Sequence, residues 1–332
     1  MDNLKAWTEI SPNTQFIPKT RIHPLIYSNF PTGKIWIKRE DESSFGIPGP
    51  KLRKYASLLP NLLHRKIKST LLIGGAYSNN LAALPQLLTE NNIQSKLLIR
   101  GENTLKTTGN LFLIKVLNAA ENLHWIPRSD WHLVMTIAQE LQDQLPEVWK
   151  HSFIIPEGAF IPESLLGSMT LGKDIRRNEQ ENSVEFNHIL IDSGTGLSAM
   201  AAILDDYAFR PDRKWHILLS AGTKEEFLSR FSTAWKWHQA TSPNYTKIPD
   251  NFILHEPSGI HRFGKTNEAL LSATLRIARE HGILTDPIYG TKLWLFMESL
   301  LENNALTGNS LLIHSGGSSI WGFQEQLNRI SG

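Results

Sequence analysis

Short apolar runs rich in β-branched residues recur along this chain, each followed by a turn signal and a helical pattern. That alternation restricts the fold more than any other feature. The runs occupy 35–37, 70–73, 96–99, 124–126, 153–155, 188–191, 215–219, 252–254 and 311–313. Helical patterns cover 52–63, 80–90, 106–119, 131–145, 164–179, 197–208, 224–239, 267–281 and 290–303. Strands that alternate with helices pair in parallel and are covered on both faces, so the expectation is an α/β fold with parallel-rich sheets. A Pro/Gly-rich interval, 156–162, is the natural crossing point between two units.

Composition narrows the function classes. The chain has 332 residues, 41% hydrophobic and 20% charged, which suits a soluble enzyme-sized protein of one large or two modest domains. The net charge is +2 and the basic residues are scattered, so no nucleic-acid partner is expected. No cysteine is present, which excludes disulfides, thiolate metal sites and a cysteine nucleophile. The 12 histidines lack a His-x-x-x-His spacing, so no metal site is expected. The first ten residues lack the apolar core of a signal peptide, and no apolar run approaches membrane-spanning length. A cytoplasmic protein without a membrane partner is the expectation. Trp125, Trp131, Trp215, Trp294 and Trp321 fit apolar, core-facing positions.

In open α/β sheets ligands bind beyond the carboxyl ends of strands, so chemistry is sought at the strand exits. Pro48-Gly49-Pro50-Lys51-Leu52-Arg53-Lys54 follows one strand and opens a helix, with Pro50 suited to the first turn. The neighbouring cations Arg53 and Lys54 should lower the pKa of Lys51, as a lysine that attacks a carbonyl requires. The same residues also fit a solvated helix face. Ser193-Gly194-Thr195-Gly196 lies between a strand and an Ala-rich helix, where glycines, hydroxyls and a helix N-terminus favour a phosphate. It equally satisfies the dinucleotide pattern Gly194-x-Gly196-x-x-Ala199, which wants an acidic residue about twenty positions on. The next strand exits through Ser220-Ala221-Gly222 without one. A nicotinamide oxidoreductase and a bare turn both stay open at this point.

Gly74-Gly75-Ala76-Tyr77-Ser78-Asn79-Asn80 has the same strand–turn–helix setting. Ser78 is a natural N-cap, the following N–H groups can hold a carboxylate, and Asn79 can donate to a phenolate oxygen. Pro85 should kink that helix. Tyr289 is a candidate acid/base, and Ser315 at the last strand exit can make one hydrogen bond.

In order, Lys38-Arg39-Glu40-Asp41, Lys51-Leu52-Arg53-Lys54, 74–79, Ile155-Pro156-Glu157-Gly158, 193–196, 286–292 and 314–317 resemble the 1-aminocyclopropane-1-carboxylate deaminase and D-cysteine desulfhydrase family. The likeness spans residues 15 to 325. It implies a pyridoxal 5'-phosphate enzyme with the tryptophan-synthase-β-like architecture, fold type II: two lobes, each of three αβα layers. The large domain would be 1–52 plus 160–332, with a small domain, 53–159, inserted, and the assembly would be a homodimer. By that resemblance Lys51 bonds covalently to the cofactor aldehyde and Asn79 meets its phenolate. Ser78 lies near the substrate carboxylate as nucleophile or proton relay. Ser193, Gly194, Thr195 and Gly196 cup the phosphate, Lys54 and Ser315 help bind the cofactor, and Tyr289 is catalytic. A small amino acid would lose a β-leaving group or its amine, giving ammonia and a 2-oxo acid.

The departures are Pro50 for Asn, Asn80 for His, Gly290 for an acidic or hydroxyl residue, Phe263 for a tyrosine, and Gly158-Ala159-Phe160 for Gly-Gly-Ser/Thr. They argue against cyclopropane opening. They also keep a non-catalytic relative that retains the fold or the cofactor as an alternative.

Overall fold

The computed structural model describes residues 11–14, 17–27, 34–44, 46–47, 49–257 and 264–331. Pro48 and Phe263 therefore lie outside the described residues. The strands are β1 (Ile22–Pro24), β2 (Ile35–Arg39), β3 (Ser69–Gly75), β4 (Gln94–Arg100), β5 (Leu123–Ile126), β6 (Phe153–Ile155), β7 (His188–Ser193), β8 (Lys214–Leu219), β9 (Phe252–His255) and β10 (Ser310–His314). The helices are α1 (Lys51–His64), α2 (Asn79–Glu90), α3 (Gly109–Leu117), α4 (Val134–Gln144), α5 (Glu147–Lys150), α6 (Leu165–Asn182), α7 (Leu197–Asp206), α8 (Lys224–Thr241), α9 (Glu268–His281), α10 (Gly290–Glu302) and α11 (Gln324–Ser331).

Two sheets result. One has six strands in the order β1-β2-β10-β7-β8-β9, and the other four in the order β5-β4-β3-β6. Every pair is parallel except β1 with β2. Side chains alternate across a strand, so each sheet feeds two cores. Ile189, Ile191, Trp215, Ile217 and Leu311 pack on one face of the larger sheet with residues of α6, α7 and α8. Leu190, Leu218, Leu312, Ile35 and Ile37 face the other side, against α9 and α10. In the smaller sheet Leu72, Leu97 and Ile99 meet α1, α2 and α3, while Leu71, Ile73 and Leu98 meet α4 and α5. Each lobe is thus a three-layer αβα sandwich, the α/β architecture of pyridoxal-phosphate fold type II enzymes.

Every strand read from the sequence is present; β1, α5 and α11 are additional. α2 runs from Asn79 through Pro85 to Glu90. Trp215 and Trp294 are 0% exposed, but Trp321 is 66% exposed and belongs to the surface rather than to a core. No helix among the described residues is long and apolar enough to cross a membrane.

Two polar features brace the larger sheet. Lys38 of β2 donates to Asp174 and Asn178 of α6 at 2.6 Å each, and Arg53 of α1 donates to Glu40 and Asp174 at 2.7 Å, all of them buried. Three imidazoles cross adjacent strands: His188 Nδ1 lies 3.0 Å from His216 Nε2, and His216 Nδ1 3.2 Å from His255 Nε2.

Candidate active site

The approach to α1 is set by glycine. Gly49 has φ +74, and a Cβ there would lie 1.7 Å from the Ser315 carbonyl oxygen, so only glycine brings this loop against the β10 exit. Pro50 is the N-cap with φ −69, one position earlier than the first helical residue. Lys51 is that first residue. Burial lowers its pKa, while Asp192 and then Asp286 pull it back up. The expected role of Arg53 is corrected here: its guanidinium turns into the Glu40–Asp174 network and does not act on Lys51. Lys54 does face Lys51, and the repulsion falls on Lys54, which is pushed down to about 7 by burial and then by the Lys51 charge.

Lys54 Nζ donates to the Gly158 carbonyl at 2.5 Å. Gly158 has φ +65, and a Cβ there would come within 2.1 Å of Thr195 Oγ1. Lys54, Gly158 and the Thr195 loop therefore form one packed unit. That loop leaves β7 at Ser193 and enters α7 through Gly196, whose φ is +93. Ser193 Oγ is buried and finds no hydrogen-bond partner among the described residues. Beside the loop, Gly194, Thr195, Gly222, Thr223 and Arg230 line a small surface depression. Glu226 also lines it, but it is engaged in a capping box with Thr223. An unpartnered buried hydroxyl, a glycine cradle, a helix N-terminus and a nearby amine fit an anionic group such as a phosphate.

Two carboxylates complete the floor. Ser315 Oγ donates to Asp192 Oδ1 at 2.5 Å. Asp286 Oδ1 accepts from the Ile288 and Tyr289 amides at 2.9 and 3.0 Å, which fixes the start of α10. Burial nevertheless pushes the Asp286 carboxyl up to about 6. Tyr289 is held protonated, its pKa raised first by burial and then by the Asp192 and Asp286 charges. Its hydroxyl lies 3.4 Å from where a Cβ on Gly194 would stand. Neither Asp192 nor Asp286 was singled out from sequence; the only signal was an acidic residue within each strand-exit or loop motif.

Two further expected residues, Ser78 and Asn79, stand at the start of α2. Ser78 caps it, its Oγ accepting from Asn80 N at 3.1 Å and Leu81 N at 3.3 Å. Asn79 Oδ1 accepts from Asn110 Nδ2 at 2.8 Å and from Ser319 Oγ at 3.3 Å, a contact that reaches from the smaller sheet's lobe to the segment after β10. Asn80 instead points inward and accepts from the Tyr55 hydroxyl at 2.8 Å, so this departure belongs to a core contact. Lys51, Ser78, Asn79, Asp192, Gly194, Thr195, Tyr289 and Ser315 are all partly exposed.

No protein-family model matches the chain. It is 25% identical over 307 residues to a 1-aminocyclopropane-1-carboxylate deaminase of Mesorhizobium japonicum, covering 86% of this chain and 87% of that one. It is 23% identical over 311 residues to a bifunctional, mitochondrial D-cysteine desulfhydrase/1-aminocyclopropane-1-carboxylate deaminase of Arabidopsis thaliana, covering 90% and 76%. The chain is thus similar in sequence to these deaminases over most of its length. The crystal structure of a homologue of the deaminase superposes with a TM-score of 0.83 at 22% identity, covering 99% of both chains. The likeness in fold thus extends over both lobes.

Proposed function

We propose that the chain is a pyridoxal-phosphate-dependent deaminase or β-eliminating lyase that acts on a small amino acid and releases ammonia and a 2-oxo acid. The observation that carries this reading is the Lys51 amine, set at a helix start with a lowered pKa, opposite two carboxylates and close to an anion cradle. The named relatives support the same chemistry. Pyridoxal phosphate, when bound, supplies the electron sink that makes an α-proton removable. Lys51 would hold it covalently, Ser193 to Gly196 with Lys54 its phosphate, and Asn79 its ring, with Ser315 helping through the Asp192 carboxyl to which it donates.

The chain's own residues then do the rest. At the start of α2 the Asn80 and Leu81 amides already bond the Ser78 oxygen, so the Asn79 N–H and the Ser78 hydroxyl would hold the substrate carboxylate. That oxygen already serves as a cap, which suits it to donate a proton rather than to attack. The Lys51 amine, its pKa lowered by burial, would take up a proton at Nζ. Tyr289, kept protonated, can supply one. In this reading the lobes divide as 1–52 plus 160–332 against 53–159, and the protein works as a homodimer in the cytoplasm.

Addition of pyridoxal phosphate should give visible absorbance, and borohydride followed by peptide mapping should place the label on Lys51. Lys51→Ala should lose both label and turnover of D-cysteine and related amino acids; activity retained in that variant would end the proposal. A labelled protein inert toward D- and L-amino acids and cyclopropane amino acids would instead favour the non-catalytic alternative.

A further inference from the structure

Asp192 and Asp286 both act on the Lys51 amine, yet they are held differently. Asp286 closes its own turn through two amides and is 3% exposed. Asp192, next to last in β7, is partly exposed. It is aimed by Ser315 Oγ across the β7–β10 strand pair. Ser315 is itself pinned, because the Gly49 backbone lies directly against its carbonyl. A hydroxyl has one proton, so Ser315, donating to Asp192, cannot also donate to a ring nitrogen. The group this arrangement offers a ligand is therefore the carboxylate, with Oδ2 as acceptor. Burial raises the Asp192 pKa, against the Ser315 hydrogen bond and the Lys51 charge, so the carboxylate needs a cationic partner once Lys51 is bonded to a cofactor. A protonated pyridine nitrogen is such a partner, and protonation strengthens the ring as an electron acceptor.

We propose that Asp192 is the anionic partner of the cofactor's ring nitrogen, keeping it protonated, with Ser315 as the positioning residue that aims the carboxylate. This rests on the reading above that the cleft takes pyridoxal phosphate. The proton stays between nitrogen and carboxylate; no bond to carbon is made or broken by Asp192.

The test is ¹⁵N NMR of the full chain loaded with pyridoxal phosphate labelled at the ring nitrogen, together with cofactor titration by fluorescence. The wild type should show the chemical shift of a protonated nitrogen. Asp192→Asn should move it to the neutral range and weaken cofactor binding about tenfold or more, as loss of a charge-assisted hydrogen bond does. Ser315→Ala should move the shift part of the way, and Asp286→Asn should leave it unchanged. A neutral nitrogen in the wild type, or a protonated one that persists in Asp192→Asn, overturns the proposal, as does loss of protonation only in Asp286→Asn. If Asp192→Asn does not fold, the wild-type shift and the Ser315→Ala comparison still decide. Protein that takes no label at Lys51 defeats the functional reading itself, whereas labelled protein with a neutral nitrogen defeats only the role of Asp192.

Discussion

Lys54 is a buried amine whose acceptor is a backbone carbonyl, not a carboxylate, and whose nearest charge, Lys51, repels it. Its pKa, about 7, sits far below the ordinary 10.5, so a bound phosphate should restore the charged form. Binding of inorganic phosphate should then be accompanied by proton uptake and weaken as pH rises above 7, readable by calorimetry in buffers of different ionisation enthalpy. Lys54→Met should abolish that pH dependence; an unchanged profile would remove Lys54 from the phosphate site. The legibility of the site follows a simple divide. Lys51, Ser78 and the Thr195 loop could be proposed from sequence because each carries its pattern within a few consecutive residues. Asp192 could not, because its significance comes from Ser315, 123 positions away. The pKa of Lys51 was expected to be low for the wrong reason, since sequence adjacency cannot tell that Arg53 turns away.

Between elements, the buried Lys38–Glu40–Arg53–Asp174 network ties β2, α1 and α6 together. Removing one partner strands a buried charge, so Arg53→Ala should destabilise the fold by about 3–5 kcal/mol, and Arg53→Lys should rescue little because the bidentate fork is lost. Urea unfolding measures both. The Glu40 and Asp174 pKa values are depressed, so the stability they contribute should be lost as pH falls below the ordinary carboxylate range. The imidazole ladder across β7, β8 and β9 acts at milder acidity. Burial holds His216 at about 4 against an ordinary 6.5. The unfolded chain takes up a proton in that interval while the folded one does not, so stability should fall as pH drops from 6.5 toward 4. His216→Gln should flatten this part of a thermal-melting profile against pH. The strands and long helices were readable from period and turn chemistry. β1 and α5, at three and four residues, are too short to show a period.

At the scale of the molecule, exposed apolar side chains gather where α3 meets the segment after β10: Phe112 is 54% exposed, Val116 65% and Trp321 66%. If this patch is the homodimer contact, light scattering should give twice the 37.6 kDa chain mass, and Phe112→Asp with Val116→Asp should give the single-chain mass. A dimer that survives both changes would place the contact elsewhere. The close seating of Gly49 on Ser315 has a mechanical corollary. With Arg53 clamped to α6 one turn later, the base of the reactive amine is anchored to the larger lobe, even though the rest of its helix fills the core of the smaller. If a substrate draws the two sides together, the tip of α2, which meets the far side through the Asn79–Ser319 contact, is the part expected to travel. Amide hydrogen exchange should slow at 79–82 when an amino acid binds while 52–56 stay as they were; the reverse pattern would mean that the amine moves to its substrate.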